Sequence, residues 1–109
     1  MKVLRIEALP EEPLSAAGRF HVEWLAKAEE ALASDDLMLA LDPADHRHRD
    51  WRRTIARDLA RKHTPRQVNI VSGEDATVFA AFAAYLEAAP GITGQYFEGD
   101  GQGAGDPSQ

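Results

Sequence analysis

The chain has 109 residues, of which 44% are hydrophobic and 28% charged, with a net charge of −6 and no cysteine. That is enough for one domain with a modest core. It excludes a disulfide framework and thiolate chemistry, and the acidic balance weighs against non-specific nucleic-acid binding. No stretch has the length and apolarity of a membrane-spanning helix. MKVLRIEALPEE lacks the apolar core and cleavage site of a signal peptide, so the expected compartment is the cytoplasm.

The first expected element is a strand. Val3, Leu4 and Ile6 alternate with Arg5 and Glu7 until Pro10-Glu11-Glu12-Pro13 breaks the run. A helix follows from Ser15, a candidate N-cap, to about Ala33. Phe20, Trp24, Ala28 and Leu32 recur every four residues on it, and Val22, Leu25 and Ala26 add a second row. That apolar surface is wider than a single buried stripe needs. Leu37 to Leu41 is a continuous apolar run, as expected of a strand covered on both faces.

Asp42-Pro43 ends that strand, and Asp45 or Asp50 can cap a second helix running to about Lys62. Trp51, Ile55 and Leu59 form its apolar row, and Arg49, Arg53, Arg57 and Arg61 form a charged one. Eight of the twelve Lys and Arg residues lie between Arg47 and Arg66. Val68 to Val71 reads as a third strand. Asp75 is placed to cap a third, largely apolar helix over residues 76–89, which Pro90-Gly91 ends. Gln95 to Phe97 completes the pattern.

The order βαβαβαβ predicts an α/β domain over residues 1–100: a four-stranded parallel sheet in order 1-2-3-4 with three helices, a half-Rossmann arrangement. If every crossover is right-handed and steps the same way, all three helices share one sheet face and the other is left bare. Residues 101–109 are Gly-rich and polar, and a flexible tail is expected there.

Three segments carry a family likeness. Ile55-Ala56-Arg57-Asp58-Leu59-Ala60, then Val68-Asn69-Ile70-Val71-Ser72-Gly73, and finally Tyr85-Leu86 with Pro90-Gly91-Ile92-Thr93-Gly94-Gln95 and Gly99-Asp100-Gly101, together resemble the C-terminal half of short-chain dehydrogenases/reductases. Residues 1–45 fit that family by topology alone. The resemblance implies a Rossmann-like fold and a four-helix interface between subunits. The corresponding helices here are residues 15–33 and 45–62. The interface candidates are Phe20, Trp24, Ala28, Leu32, Trp51, Arg53, Arg57 and Arg61. The partner is a second copy or a full-length dehydrogenase, with Glu23, Glu29 and Glu30 as acidic counterparts to the Arg row.

The departures from the family bear on chemistry. Its Gly-rich cofactor turn works by letting backbone approach a pyrophosphate. Here the first strand is followed by PEEPLSAAG, which sets two carboxylates where phosphates would lie. The family's catalytic Tyr and the Lys four residues later should fall near 41 and 45, where Leu41 and Asp45 stand. No cofactor, catalytic residue or metal is therefore expected, and the protein reads as a non-catalytic module acting by self-association or partner binding.

The alternative is a small-molecule-binding protein or enzyme with a new site at the strand C-terminal edge, built from Asp42, Asp45, Ser72 and Glu74. Asp42 and Asp45 also suit plain helix capping. His46-Arg47-His48 reads as a solvated helix start rather than a metal site, because residues two apart on a helix diverge. The Arg row lacks interleaved aromatics for nucleic-acid stacking, and Trp24 and Trp51 read as core or interface.

Overall fold

The structure is a computed structural model that describes residues 1–99. The tail expected over residues 101–109 lies outside the described residues. Strand β1 (Lys2–Ile6) leads to helices α1 (Pro13–Glu23) and α2 (Leu25–Leu32), then to β2 (Leu37–Leu41). A 3-10 turn (His46–His48) runs into α3 (Arg49–Lys62), followed by β3 (Val68–Ser72), α4 (Ala76–Glu87) and β4 (Tyr96–Glu98). The sheet is parallel throughout, in the order β1-β2-β3-β4. The strands and their order are those the sequence predicts.

All five residues of β2 and all five of β3 are buried, as the LMLAL and VNIVS runs require of central parallel strands. Alternate residues serve two cores. Leu37, Leu39, Leu41, Val68 and Ile70 meet α1, α2 and α3 through Phe20, Ala28, Leu32, Ile55 and Leu59. Met38, Ala40 and Val71 point the other way and meet Val78, Phe79, Phe82 and Leu86 of α4.

Helix α4 therefore covers the face that the same-face expectation leaves bare. All three crossovers step the same way across the sheet, so the last has the opposite hand to the first two, against the usual right-handed rule. One helix does not reach across four strands. Val3, on the α4 face of the outer strand β1, stays 50% exposed.

The single helix predicted over residues 15–33 is two helices, which makes four in place of three among the described residues. The break falls at Trp24, with φ −117° and ψ −28°. A row spaced by four drifts about 40° around a helix at each step. From Ala16 to Leu32 a straight helix would carry the row off the sheet, and the bend keeps Ala16, Phe20, Ala28 and Leu32 all buried. The cap is also one turn earlier than Ser15: the Glu12 carboxylate accepts from the backbone N–H groups of Leu14 and Ser15, both at 2.9 Å. Asp75 does cap α4, accepting from the Val78 N–H at 3.1 Å.

The family-like segments interlock as structure. The buried Asn69 side chain donates to the Ile92 carbonyl at 3.0 Å and accepts from the Gln95 N–H at 3.1 Å. Thr93 Oγ1 accepts from the Val68 N–H at 3.0 Å, and the Gly94 N–H donates to the Val68 carbonyl at 2.8 Å. Gly94 has φ +74°, which glycine adopts without strain. This lattice of bonds seats β4 beside β3.

Candidate functional site

A cavity of about 340 Å³ opens at the C-terminal ends of β1 and β2. In parallel α/β sheets, ligands enter at this edge. Ile6, Leu9, Pro10, Pro43 and Ala44 supply its apolar wall, and Glu11, Asp42, Asp45, His48 and Arg52 its polar one. The loop after β1 turns through Ala8 at φ 61°, a left-handed conformation uncommon for a residue with a side chain. That turn brings Leu9 to Glu11 back over the end of β2.

The two aspartates are engaged within the chain. Asp42 pairs with Arg5, whose Nη1 also donates to the carbonyls of Ile6 and Ala40. Asp45 caps the 3-10 turn, accepting from the Arg47 N–H at 2.9 Å, and its other oxygen lies 2.9 Å from Arg47 Nη2. The Arg47 side chain, then its backbone N–H, hold the Asp45 carboxyl down at about 2.

His48 is 5% exposed, so it is not the solvated helix start that the sequence suggests. Its Nδ1 lies 3.1 Å from Trp51 Nε1, and its Nε2 lies 2.8 Å from the Glu11 carbonyl. An indole N–H can only donate, so Nδ1 is the acceptor and Nε2 carries the proton given to Glu11. Both nitrogens are committed, and the ring ties the loop after β1 to the start of α3. Arg52, 3% exposed, lies one helical turn further on. Its Nη1 donates to the Asp42 carbonyl and to the Tyr96 hydroxyl, each at 3.1 Å.

Asp42 and Asp45 thus share this wall. Ser72, buried at the end of β3, and the exposed Glu74 do not line it, so the four residues expected together do not form one site. His48 and Arg52 were missed by sequence reasoning. The available signal is helical phase: Arg52 falls on the same inward strip as His48, Ala56 and Leu59, whereas Arg49, Arg53, Arg57 and Arg61 fall outside it.

The interface candidates divide. Phe20, Ala28 and Leu32 are 0–2% exposed and belong to the chain's own core, because the bend at Trp24 turns them all inward. Trp24 and Trp51 are half-buried against that core, and Arg53, Arg57 and Arg61 are exposed. The apolar surface that α1 does present is Leu14 at 80% and Val22 at 84% exposure, with Gly18 between them. The Arg row is largely engaged at its ends, with Arg49 on Glu98 at 2.8 Å and Arg61 near Asp58 at 3.8 Å. Glu29 pairs with Lys62 at 2.8 Å and Glu23 lies 3.7 Å from Arg19.

No group of three or more His, Cys, Asp or Glu residues able to hold a metal ion occurs among the described residues. No helix among them is long and apolar enough to cross a membrane. A parallel Rossmann-like sheet, the interlocked Asn69 and Thr93-Gly94-Gln95 segments and a cavity at the strand C-terminal edge define the dehydrogenase-like class of α/β domain. The chain belongs to the SDR-like family, described as short chain dehydrogenase-like protein, whose model matches residues 4–99. No curated protein and no solved structure gives a significant match.

Proposed function

We propose that this chain is a non-catalytic short-chain-dehydrogenase-like module that acts by pairing with a second copy of itself through α1 and α3. One observation carries the reading: Leu14, Gly18 and Val22 make an outward apolar row on α1, and Leu14 and Val22 are two of the three large hydrophobic residues left exposed among the described residues. Helix α3 packs beside α1 on the same sheet face. Arg53 and Arg57 have no ion-pair partner on it among the described residues.

Charge complementarity points to a second copy. The exposed Glu30 on α2 and Glu23 at the end of α1 supply the acidic counterpart to those arginines across a two-fold axis. The chemistry agrees with a non-catalytic role. Leu41 is fully buried where the family resemblance calls for a tyrosine, and Asp45 is ion-paired where it calls for a lysine.

Light scattering on the purified full-length chain tests the proposal. The expected mass is twice the 12.0 kDa of one chain. Leu14→Glu with Val22→Glu should return it to one chain mass with the circular dichroism spectrum unchanged. A monomeric wild type, or a dimer indifferent to both substitutions, overturns the reading. A wild type that is monomeric alone but co-elutes with a full-length dehydrogenase assigns the same surface to a heterologous partner instead.

A further inference from the structure

Arg52 carries a charge that the fold leaves unanswered. It is 3% exposed, and its hydrogen-bond acceptors, the Asp42 carbonyl and the Tyr96 hydroxyl, are both formally neutral. Its guanidinium lies 5.5 Å from the Trp51 ring centroid and 5.7 Å from that of Tyr96. Among the described residues no carboxylate reaches it within ion-pair distance, and its Nε is buried without any partner. Burying a cation without a counter-charge is unfavourable, and such groups are normally paired. With Nη1 occupied and Nε enclosed by protein, Nη2 is the donor left for a carboxylate oxygen.

We propose that the cavity at the ends of β1 and β2 binds a small organic carboxylate. Its charged head pairs with Arg52, and its apolar body lies against Ile6, Leu9, Pro10 and Pro43. Three acids line the cavity, and Glu11 among them is solvent-exposed, where its charge is screened. Asp42 is bonded to Arg5, and Asp45 to Arg47, so each carries its own counter-charge. His48 has no free nitrogen for a ligand, since both are engaged with Glu11 and Trp51. A volume of about 340 Å³ lies at the small end of ligand pockets, which suits a short chain or a single ring. The helix surface of α1 plays no part, so the fate of the dimer proposal leaves this one standing.

Thermal-shift and calorimetric titrations of the full chain provide the test. The probes are butanoate, hexanoate and benzoate, each beside its neutral amide, with inorganic phosphate as the second anion. At least one carboxylate should raise the melting temperature saturably, with its amide at least tenfold weaker. Arg52→Gln should remove that response, and Arg66→Gln, at an exposed arginine outside both the cavity and the proposed interface, should keep it. Should Arg52→Gln fail to fold, the indole N–H resonance of Trp51 in the wild type decides. A shift with carboxylate and not with amide supports the site, and an unmoved resonance overturns it. Equal responses to acid and amide, a response to phosphate alone, no response at all, or unchanged binding by a folded Arg52→Gln each overturn the proposal.

Discussion

Asn69 holds Gln95 in place: its Oδ1 accepts the Gln95 backbone N–H at 3.1 Å while its Nδ2 reaches the Ile92 carbonyl at 3.0 Å. One side chain thereby satisfies two backbone groups on the approach to β4. Asn69→Ala strands both in a part-buried setting. A loss of about 1–3 kcal/mol is expected, below the sum for two fully buried groups, each of which costs about 1–3 kcal/mol when unsatisfied. Urea denaturation measures it. A loss under about 1 kcal/mol would mean that β4 is seated by its ladder bonds alone.

Gly94 adopts φ +74°, and a Cβ built there lies 3.3 Å from the Ala60 Cβ. Gly94→Ala should cost about 1–2 kcal/mol from the left-handed backbone alone. Gly18 meets nothing within 4 Å and sits inside α1. Gly18→Ala should stabilise by about 0.5–1 kcal/mol through helix propensity. Opposite signs for the two substitutions are the expected calorimetric result.

Phe20 and Val22 are two residues apart and experience different surroundings. Phe20→Ala empties a core position that is 0% exposed and should cost about 3–5 kcal/mol. Val22→Ser changes an 84% exposed position and should stay within about 0.5 kcal/mol for the monomer. Equal losses at low concentration would contradict the placement of the two faces of α1.

Stability should decline on the acid side. Asp45 is held at about 2 against its ordinary 3.8 by Arg47. Glu12 is lowered by the N–H of Leu14, Glu29 by Lys62, and Asp35 by the N–H of Asp36. Each folded-state value lies below the unfolded one. Their contributions are therefore complete above the ordinary carboxylate range and disappear as pH falls through it toward about 2. Urea midpoints measured from neutral pH downward should be level and then fall. Asp45→Asn should have a lower neutral midpoint and a shallower acid slope, whereas an unchanged slope would show that its bonds to Arg47 do not persist in solution.

The strands were legible because their signal is continuous: LMLAL and VNIVS admit few other readings, and Asp75 sits at a true helix start. The bend at Trp24 was not legible. No proline or glycine marks it, and it answers to the shape of the sheet beneath. The face chosen by α4 was hidden for a related reason, since the sequence carries no marker of crossover hand. At the cavity, Asp42 and Asp45 could be placed from the chain break at Asp42-Pro43. Arg52 and His48 carry only the weaker signal of helical phase, because a charged or titratable residue near a helix start reads as solvated until its neighbours from β4 and the loop after β1 are known.

The outer strand has a consequence for handling the protein. Among the described residues β1 pairs on one side only, and Val3 is half exposed beside the limit of α4's cover. A free edge of this kind is a template for uncontrolled stacking of further strands. Lys2, Arg5 and Glu7 flank that valine with charge, the arrangement by which natural sequences discourage fibrils. Neutralising those side chains would exchange a soluble edge for an adhesive one, and precipitation, rather than unfolding, would then limit the working concentration.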